Sequence, residues 1–415
     1  LKKSIELLSS KIPFKAQAST IFGTFEEAIR AEIFSAARLE GHGESLARAQ
    51  AVSDKLYFGQ NITPRLSDNR KVLEETYEVI LQAVKEQRSI TPAAEWLIDN
   101  FHIIRAQLQN IHDQLPPKYY RELPKLKAPP FAGLPRVYGI AWAFVAHTDS
   151  LFDPELLSRF LKAYQRVQPL TIGELWATSI TLRIVLIENL RRLSARIMKS
   201  QIDRKVADEI ANEVLSLGDG VPRTIAQIIE SLDHRHFGIS FYVQLLQRLH
   251  FQDPKVNPIL EWIDRKLTEV NLHADTIVSL EHSSQTAANA SVRNIITSFR
   301  LMSAFDWQDF FEDVSLVDQC LRQAHHYSQM DFATRDRYRH SLEQISLTSP
   351  FSQLEIAQKL IETSNAQKVD PGFLLLADGR EEFERLVQSQ KSIGQHLQRQ
   401  YLKHATDFFL GALAS

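Results

Sequence analysis

Helix-start signals recur along this chain at intervals that leave room for little besides helices. Thr24 with Glu27, Thr171 with Glu174 and Ser352 with Glu355 have the spacing of a capping box. In that motif a hydroxyl and a carboxylate each satisfy a backbone N–H that the first helical turn leaves without a partner. Thr91-Pro92, Asp153-Pro154, Asp253-Pro254, Ser349-Pro350 and Asp370-Pro371 each place a capping side chain before a proline suited to the first helical position. Only 14 of the 415 residues are glycine, about half the usual share. No Asn-Gly or Asp-Gly turn joins two alternating strands.

The expected fold class is therefore all-α: a large multi-helix bundle of antiparallel helices with no significant β-sheet. Helices are expected near 25–38, 44–55, 66–88, 92–112, 134–148, 154–166, 172–199, 203–216, 222–233, 238–250, 255–270, 274–303, 307–328, 333–346, 353–365 and 380–410. The long helix over 172–199 is expected at the centre. Residues 1–60 read as an N-terminal helical segment, 61–385 as the main all-α domain, and 386–415 as a C-terminal helix leading towards a membrane span. Residues 115–135, LPPKYYRELPKLKAPPFAGLP, hold too many prolines for a helix. Tyr119, Tyr120 and Phe131 give this loop apolar anchors, so it is expected to be packed. No period of roughly 30–50 residues repeats, which argues against a solenoid.

The central stretch carries charges among apolar residues. Pro169 cannot extend the helix before it, Thr171 caps the next, and Glu174 supplies the capping-box carboxylate. From Trp176 onwards, Ile180, Leu182, Ile184, Val185, Leu186, Ile187 and Leu190 cover nearly every helical face, the mark of an interior helix. Glu188 has Arg191 and Arg192 at helical pairing distance. Arg183 has no such neighbour and is expected to find a carboxylate on another helix, locking the two together, because a buried unpaired charge costs several kcal/mol.

Charge and cysteine usage bound the function. The formal net charge is −2 and the isoelectric point about 6.8, so there is no global field to hold nucleic acid, which is excluded as a partner. Cys320 is the single cysteine. With no secretory leader pattern, that points to a reducing, cytoplasmic setting.

Several constellations have the residue types for chemistry. Glu95 and Asp99 share a helix face, and Asp306, Asp309, Glu312 and Asp313 form an acidic cluster. Such carboxylates serve glycosidic acid/base chemistry only when they face each other across a cleft. His102, His112-Asp113 and Asp149 follow the order of metal-dependent phosphohydrolases of the HD type, in which imidazoles and carboxylates share a divalent ion. The run RDRYRH at 335–340 offers cations for phosphate, or a salt-bridged helical face. Tyr119, Tyr120, Trp142 and Trp176 would serve a carbohydrate-binding groove if exposed. The chain lacks phosphate-binding glycine loops, His-Glu-x-x-His and Gly-x-Ser-x-Gly. No catalytic, cofactor-binding or metal-ligating residue is assigned, and no cofactor is expected.

Longer strings carry a resemblance. Residues 115–193, including GLPRVYGIAWAFVAHTDSLFDPELLSRFLKAYQRVQPLTIGELWATSITLRIVLIENLRRL, resemble the N-terminal region of bacterial cyclic β-1,2-glucan synthases. The likeness continues in AEIFSAARLEGHGESLARAQ (31–50), SITPAAEWLIDNFHIIRAQL (89–108), SVRNIITSFRLMSAFDWQDFFEDVSLVDQCLR (291–322), MDFATRDRYRH (330–340) and DPGFLLLADGREEFER (370–385). The resemblance implies a cytoplasmic helical region at the inner membrane, placed before the first membrane span and before a family 84 glycosyltransferase module, a cyclisation module and a phosphorylase-like module. Those modules would use UDP-glucose to extend and close a β-1,2-glucan attached to the protein. They carry the catalytic motifs, so this chain would be a non-catalytic domain that supports or regulates the synthase. Its implied partners are the glycosyltransferase and membrane modules of the same protein, and the growing β-1,2-glucan. The string HTDS at 147–150 receives no role. The alternatives are a stand-alone all-α enzyme, either HD-like or an α/α-barrel glycosidase, or a carbohydrate-binding module. Lys391, Arg399 and Lys403 precede an apolar run from Phe408 that is too short for the roughly 20 residues of a span. The run is expected to be the start of one, continued beyond Ser415.

Overall fold

A computed structural model describes residues 26–53, 62–114, 120, 122–216, 224–250, 256–324 and 326–390. The chain is all-α: seventeen α-helices and one two-stranded sheet lie among the described residues. The capping pairs at Thr24 and Asp253, Tyr119 of the proline-rich loop, and the tail from Lys391 onwards fall outside them.

The chain divides into two compact units, each made of two separate stretches. The first comprises Leu1–Leu157 and Thr178–Phe305. Its helices begin with α1 (Ala36–Ala49), α2 (Thr63–Lys85), α3 (Pro92–Asp99), α4 (Phe101–Gln114) and α5 (Arg136–His147). Strands β1 (Val52–Ser53) and β2 (Lys125–Leu126) pair antiparallel, Val52 opposite Leu126 and Ser53 opposite Lys125. Gly139 lets α5 lie close to this ribbon, since a Cβ there would meet Leu126 Cδ1 of β2 at 3.0 Å. Helix α6 (Pro154–Gln165) ends in the second unit, and the first turns of α7 (Ile172–Leu215) also belong there. From Thr178 onwards α7 belongs to the first unit, with α8 (Ile225–Asp233), α9 (Ile239–Leu249), α10 (Asn257–Thr268) and α11 (Ala274–Ala304). Ala207, Ala211 and Val214 of α7 join Ile228, Phe241 and Trp262 in a buried cluster that closes this part of the unit.

The second unit comprises Ser158–Ala177 and Asp306–Ser415. It contains α12 (Trp307–Val314), α13 (Leu316–Leu321), α14 (Phe332–Ser346), α15 (Gln353–Gln367), α16 (Pro371–Leu376) and α17 (Arg380–Leu386).

Several boundaries differ from the sequence reading. The expected helices 172–199 and 203–216 are one helix of 44 residues. Asp203, at the expected break, accepts from Gly238 N at 3.0 Å and pairs with Lys199, so its side chain does not compete for the helix's own amides. The expected breaks around residues 38–44 are absent, and α1 runs through Gly41 and Gly43. Conversely, 92–112 divides at Asn100, whose side chain bonds back to Trp96 O at 2.9 Å. The expected helix 307–328 stops at Ser315, whose hydroxyl caps α13 by accepting from Asp318 N at 3.1 Å.

Candidate functional site: a charged cavity beside a buried carboxylate

In the middle of α7 one carboxylate gathers three guanidinium groups. Glu188 is 1% exposed. Arg65, from α2, donates to it through Nε at 3.1 Å and Nη2 at 3.0 Å, and Asn69, one turn further along α2, donates at 3.0 Å. Arg192 reaches Glu188 through Nε and Nη2, both at 3.0 Å, and Arg191 through Nη2 at 3.2 Å. The expected pairing of Glu188 with Arg191 and Arg192 is therefore present, and Arg65 adds a two-pronged bond between helices. Burial pushes the Glu188 carboxyl up. The hydrogen bonds and charge of Arg65, with Asn69 and Arg192, together outweigh burial and hold the carboxyl below its usual range.

Beside this cluster lies a cavity of about 610 Å³. Its polar lining is Glu26, Arg65, Asp68, Asn69, Tyr138 and Arg191, and its apolar lining includes Ile62 and Leu134. Arg191 also pairs with Glu26. Tyr138 is 1% exposed, and its phenol oxygen and Arg191 Nε are buried without a hydrogen-bond partner among the described residues. Burial pushes the Tyr138 phenol up to about 12, so the ring stays a neutral donor throughout the working pH range. Tyr120, near Tyr138 and Arg65, is raised further, by burial above all, and its oxygen also lacks a partner among the described residues.

A second charge lattice holds the helices of the other unit. Arg339, 0% exposed, donates to Glu312 at 3.1 Å and Asp318 at 2.9 Å, between the rings of Phe311 and Phe332. Arg335 bonds Glu312 at 2.9 Å, Arg322 bonds Asp318 at 2.8 Å, and the Tyr327 hydroxyl donates to Asp318 at 2.8 Å. The acidic cluster of α12 thus separates. Glu312 turns inward, Asp306 caps α12, and Asp313 meets Lys162 at 2.7 Å and Ser158 at 2.8 Å. The run at 335–340 is the salt-bridged alternative, with Arg339 inside rather than on a face.

The other residues singled out in the sequence lie on exposed faces or in packed surroundings. Glu95 and Asp99 lie exposed on α3. His102, His112 and Asp113 are exposed, whereas Asp149 is buried and accepts from Ser291, with Asn294 donating to its carbonyl at 3.0 Å. The HD-type ligands are not assembled, and among the described residues no group of three or more His, Cys, Asp or Glu could hold a metal. Tyr120 is buried, Trp142 packs beside Phe131, Tyr138 and Arg192, and Trp176 stacks on Phe311 at 4.4 Å. Arg183 links helices as expected, here through neutral oxygens. It donates to Gln107 Oε1 at 3.1 Å, Met302 O at 2.9 Å and Ser179 Oγ, bridging α4, α7 and α11. Burial lowers its pKa.

The HTDS string has a role that spacing did not reveal. Asp149 and Ser150 both have positive φ, 47° and 65°, a conformation that needs support in non-glycine residues. Asn189 of α7 supplies it, donating to Ser150 Oγ at 2.8 Å and exchanging hydrogen bonds with the backbone of Ile29 at 2.7 and 3.2 Å. Ser298 donates to Ser150 O and accepts from Phe152 N, both at 2.8 Å. A buried Asn directly after Glu188 in an otherwise apolar helix was the available signal.

The class of protein so defined is an all-α chain of two compact units, each with a lattice of buried ion pairs. No family model matches the chain. It is 31% identical over 405 residues, 95% of its length, to the cyclic beta-(1,2)-glucan synthase NdvB of Rhizobium meliloti (strain 1021), and spans 14% of that protein. The chain is thus homologous to one segment of a cyclic β-1,2-glucan synthase. No helix among the described residues is long and apolar enough to cross a membrane.

Proposed function

We propose that this chain is a non-catalytic helical domain of a cyclic β-1,2-glucan synthase that supports or regulates the synthase at the cytoplasmic face of the bacterial inner membrane. Its partners are the glycosyltransferase and membrane modules of the same protein, and the growing β-1,2-glucan. The reading rests on one observation: nearly the whole chain matches a segment making up 14% of a far larger synthase. The charge geometry supports it. Glu188 and Arg339 each bind several partners from neighbouring helices, an arrangement that fixes helix positions. UDP-glucose would then be consumed by other modules. The test is incubation of the purified chain with labelled UDP-glucose and a divalent metal. No label is expected in polymer or protein, and incorporation above background overturns the reading.

A further inference from the structure

Residues 26–34 form an extended strap that crosses α7 and the end of α5 before Ser35 caps α1. Its first half is held by α7. Arg191 pairs with Glu26, Arg192 Nη1 donates to Glu27 O at 2.9 Å, and Asn189 accepts from Ile29 N at 2.7 Å. Its second half is held by α5, where Ala31 N donates to Ala146 O at 2.9 Å and Phe34 N to His147 O at 3.0 Å. A cluster of rings fastens this second half. Phe34 stacks on His147 with centroids 3.8 Å apart, and His42 of α1 stands edge-on to both, 5.6 Å from Phe34 and 4.7 Å from His147. The Arg38 guanidinium lies over the Phe34 ring at 4.4 Å. His147 Nδ1 is 2.8 Å from Glu32 O, and a carbonyl only accepts, so this nitrogen carries a proton.

The charges that bear on the two rings are Arg38 and Glu32, which pair with each other at 3.0 Å and act on His147 in opposite senses. Arg30 and Asp149 close on one another at 3.4 Å by the same end of α5. Burial pushes His42 down to about 4, with the neighbouring His147 adding to the effect, and burial lowers His147 as well. Both rings are therefore neutral while the strap is seated, and release returns them towards the ordinary 6.5. A group lowered in this way contributes stability that is complete above its ordinary value and is lost as pH falls towards the lowered one.

We propose that the strap is an acid-sensitive clasp: protonation of His42 and His147 sets two like charges side by side, close to Arg38, and lifts residues 26–34 from α5 and α7 while the helices beneath stay folded. Release uncovers Ile29, which is 2% exposed when seated. It also takes from Asn189, Arg191 and Arg192 the partners that the strap supplies, so the change reaches the Glu188 cluster. The inference rests on the ring cluster and not on the synthase reading. The test is hydrogen–deuterium exchange of the full 415-residue chain at about pH 7 and about pH 5, each rate divided by the intrinsic rate at that pH. Protection over residues 26–34 is expected to fall at least roughly ten-fold between the two, while α10, in the buried cluster with Trp262, keeps its own. His42→Phe combined with His147→Asn retains a ring and a hydrogen-bond donor but does not titrate, and it should abolish the fall. NMR titration of the parent imidazoles gives a reading that needs no variant to fold, and both rings should titrate below 6.5. Unchanged protection of residues 26–34, a fall shared equally by α10, the same fall in the double variant, or either ring titrating at or above 6.5 overturns the proposal.

Discussion

At the residue scale, the chain places its buried charges where several neighbours can share them. Glu188 binds Arg65, Asn69, Arg191 and Arg192, so removing it leaves three guanidiniums short of their anion. Glu188→Ala is expected to lower the unfolding free energy in urea by about 3–5 kcal/mol, and Glu188→Gln by less, since the amide still accepts. The sign of the pH dependence follows from the shift. The folded carboxyl lies below its ordinary 4.5, so the unfolded state binds the proton first as acid is added. Its stabilisation is complete above about pH 4.5 and is lost as pH falls through the lower folded value. Parent stability should therefore drop more steeply below pH 4.5 than that of Glu188→Gln, and equal slopes would refute the assignment. The sequence showed the Glu188–Arg191–Arg192 spacing because it is local. Arg65, 123 positions away, and Asn189, which holds the turn at Asp149 and Ser150, were not legible because their partners meet only through tertiary packing.

Among elements, most caps read from sequence are present, but Ser349-Pro350 starts no helix, because the helix there begins at Gln353 under Ser352. Thr171 N donates to Glu174 Oε2 at 2.9 Å and Glu174 N to Thr171 Oγ1 at 3.2 Å, and Ser352 with Glu355 repeats the pattern. Thr171→Ala should cost about 1 kcal/mol in denaturant unfolding, and Glu174→Gln distinctly less because Gln still reaches the N-cap amide. A larger loss for Glu174→Gln than for Thr171→Ala would show that the carboxylate has work beyond the cap. Internal breaks were harder to read than starts. A polar residue inside a helix interrupts it only if its side chain takes a backbone group of that same helix, as Asn100 does, whereas Asp203 takes Gly238 N outside it. Helices α12, α13 and α14 meet at Arg339, whose planar fork reaches Glu312 and Asp318 together. An ammonium is a single point charge, so Arg339→Lys should destabilise by several kcal/mol. Near-parent stability of Arg339→Lys would show that the bridge between the two carboxylates adds little.

At the scale of the whole molecule, the all-α class follows from composition and caps, whereas the division into units does not. A unit assembled from two distant stretches leaves no composition change at its edges, because helix α7 runs unbroken through the boundary at Ala177 and Thr178. Within the second unit, the short stretch Ser158–Ala177 supplies contacts that the long one lacks. Gln165 donates to Val314 O at 2.8 Å, Ile172 N donates to Gln353 at 2.7 Å, and Trp176 stacks on Phe311 beside the Arg339 lattice. A fragment of residues 306–390 would expose Phe311 and leave the start of α15 without its partner. The long stretch alone is therefore expected to melt without a cooperative transition. The same fragment joined through a flexible linker to residues 158–177 should regain one, read as a sigmoidal loss of helical circular dichroism on heating. Equal cooperativity of the two fragments would mean that the short stretch is an accessory, and that residues 306–390 form a domain by themselves.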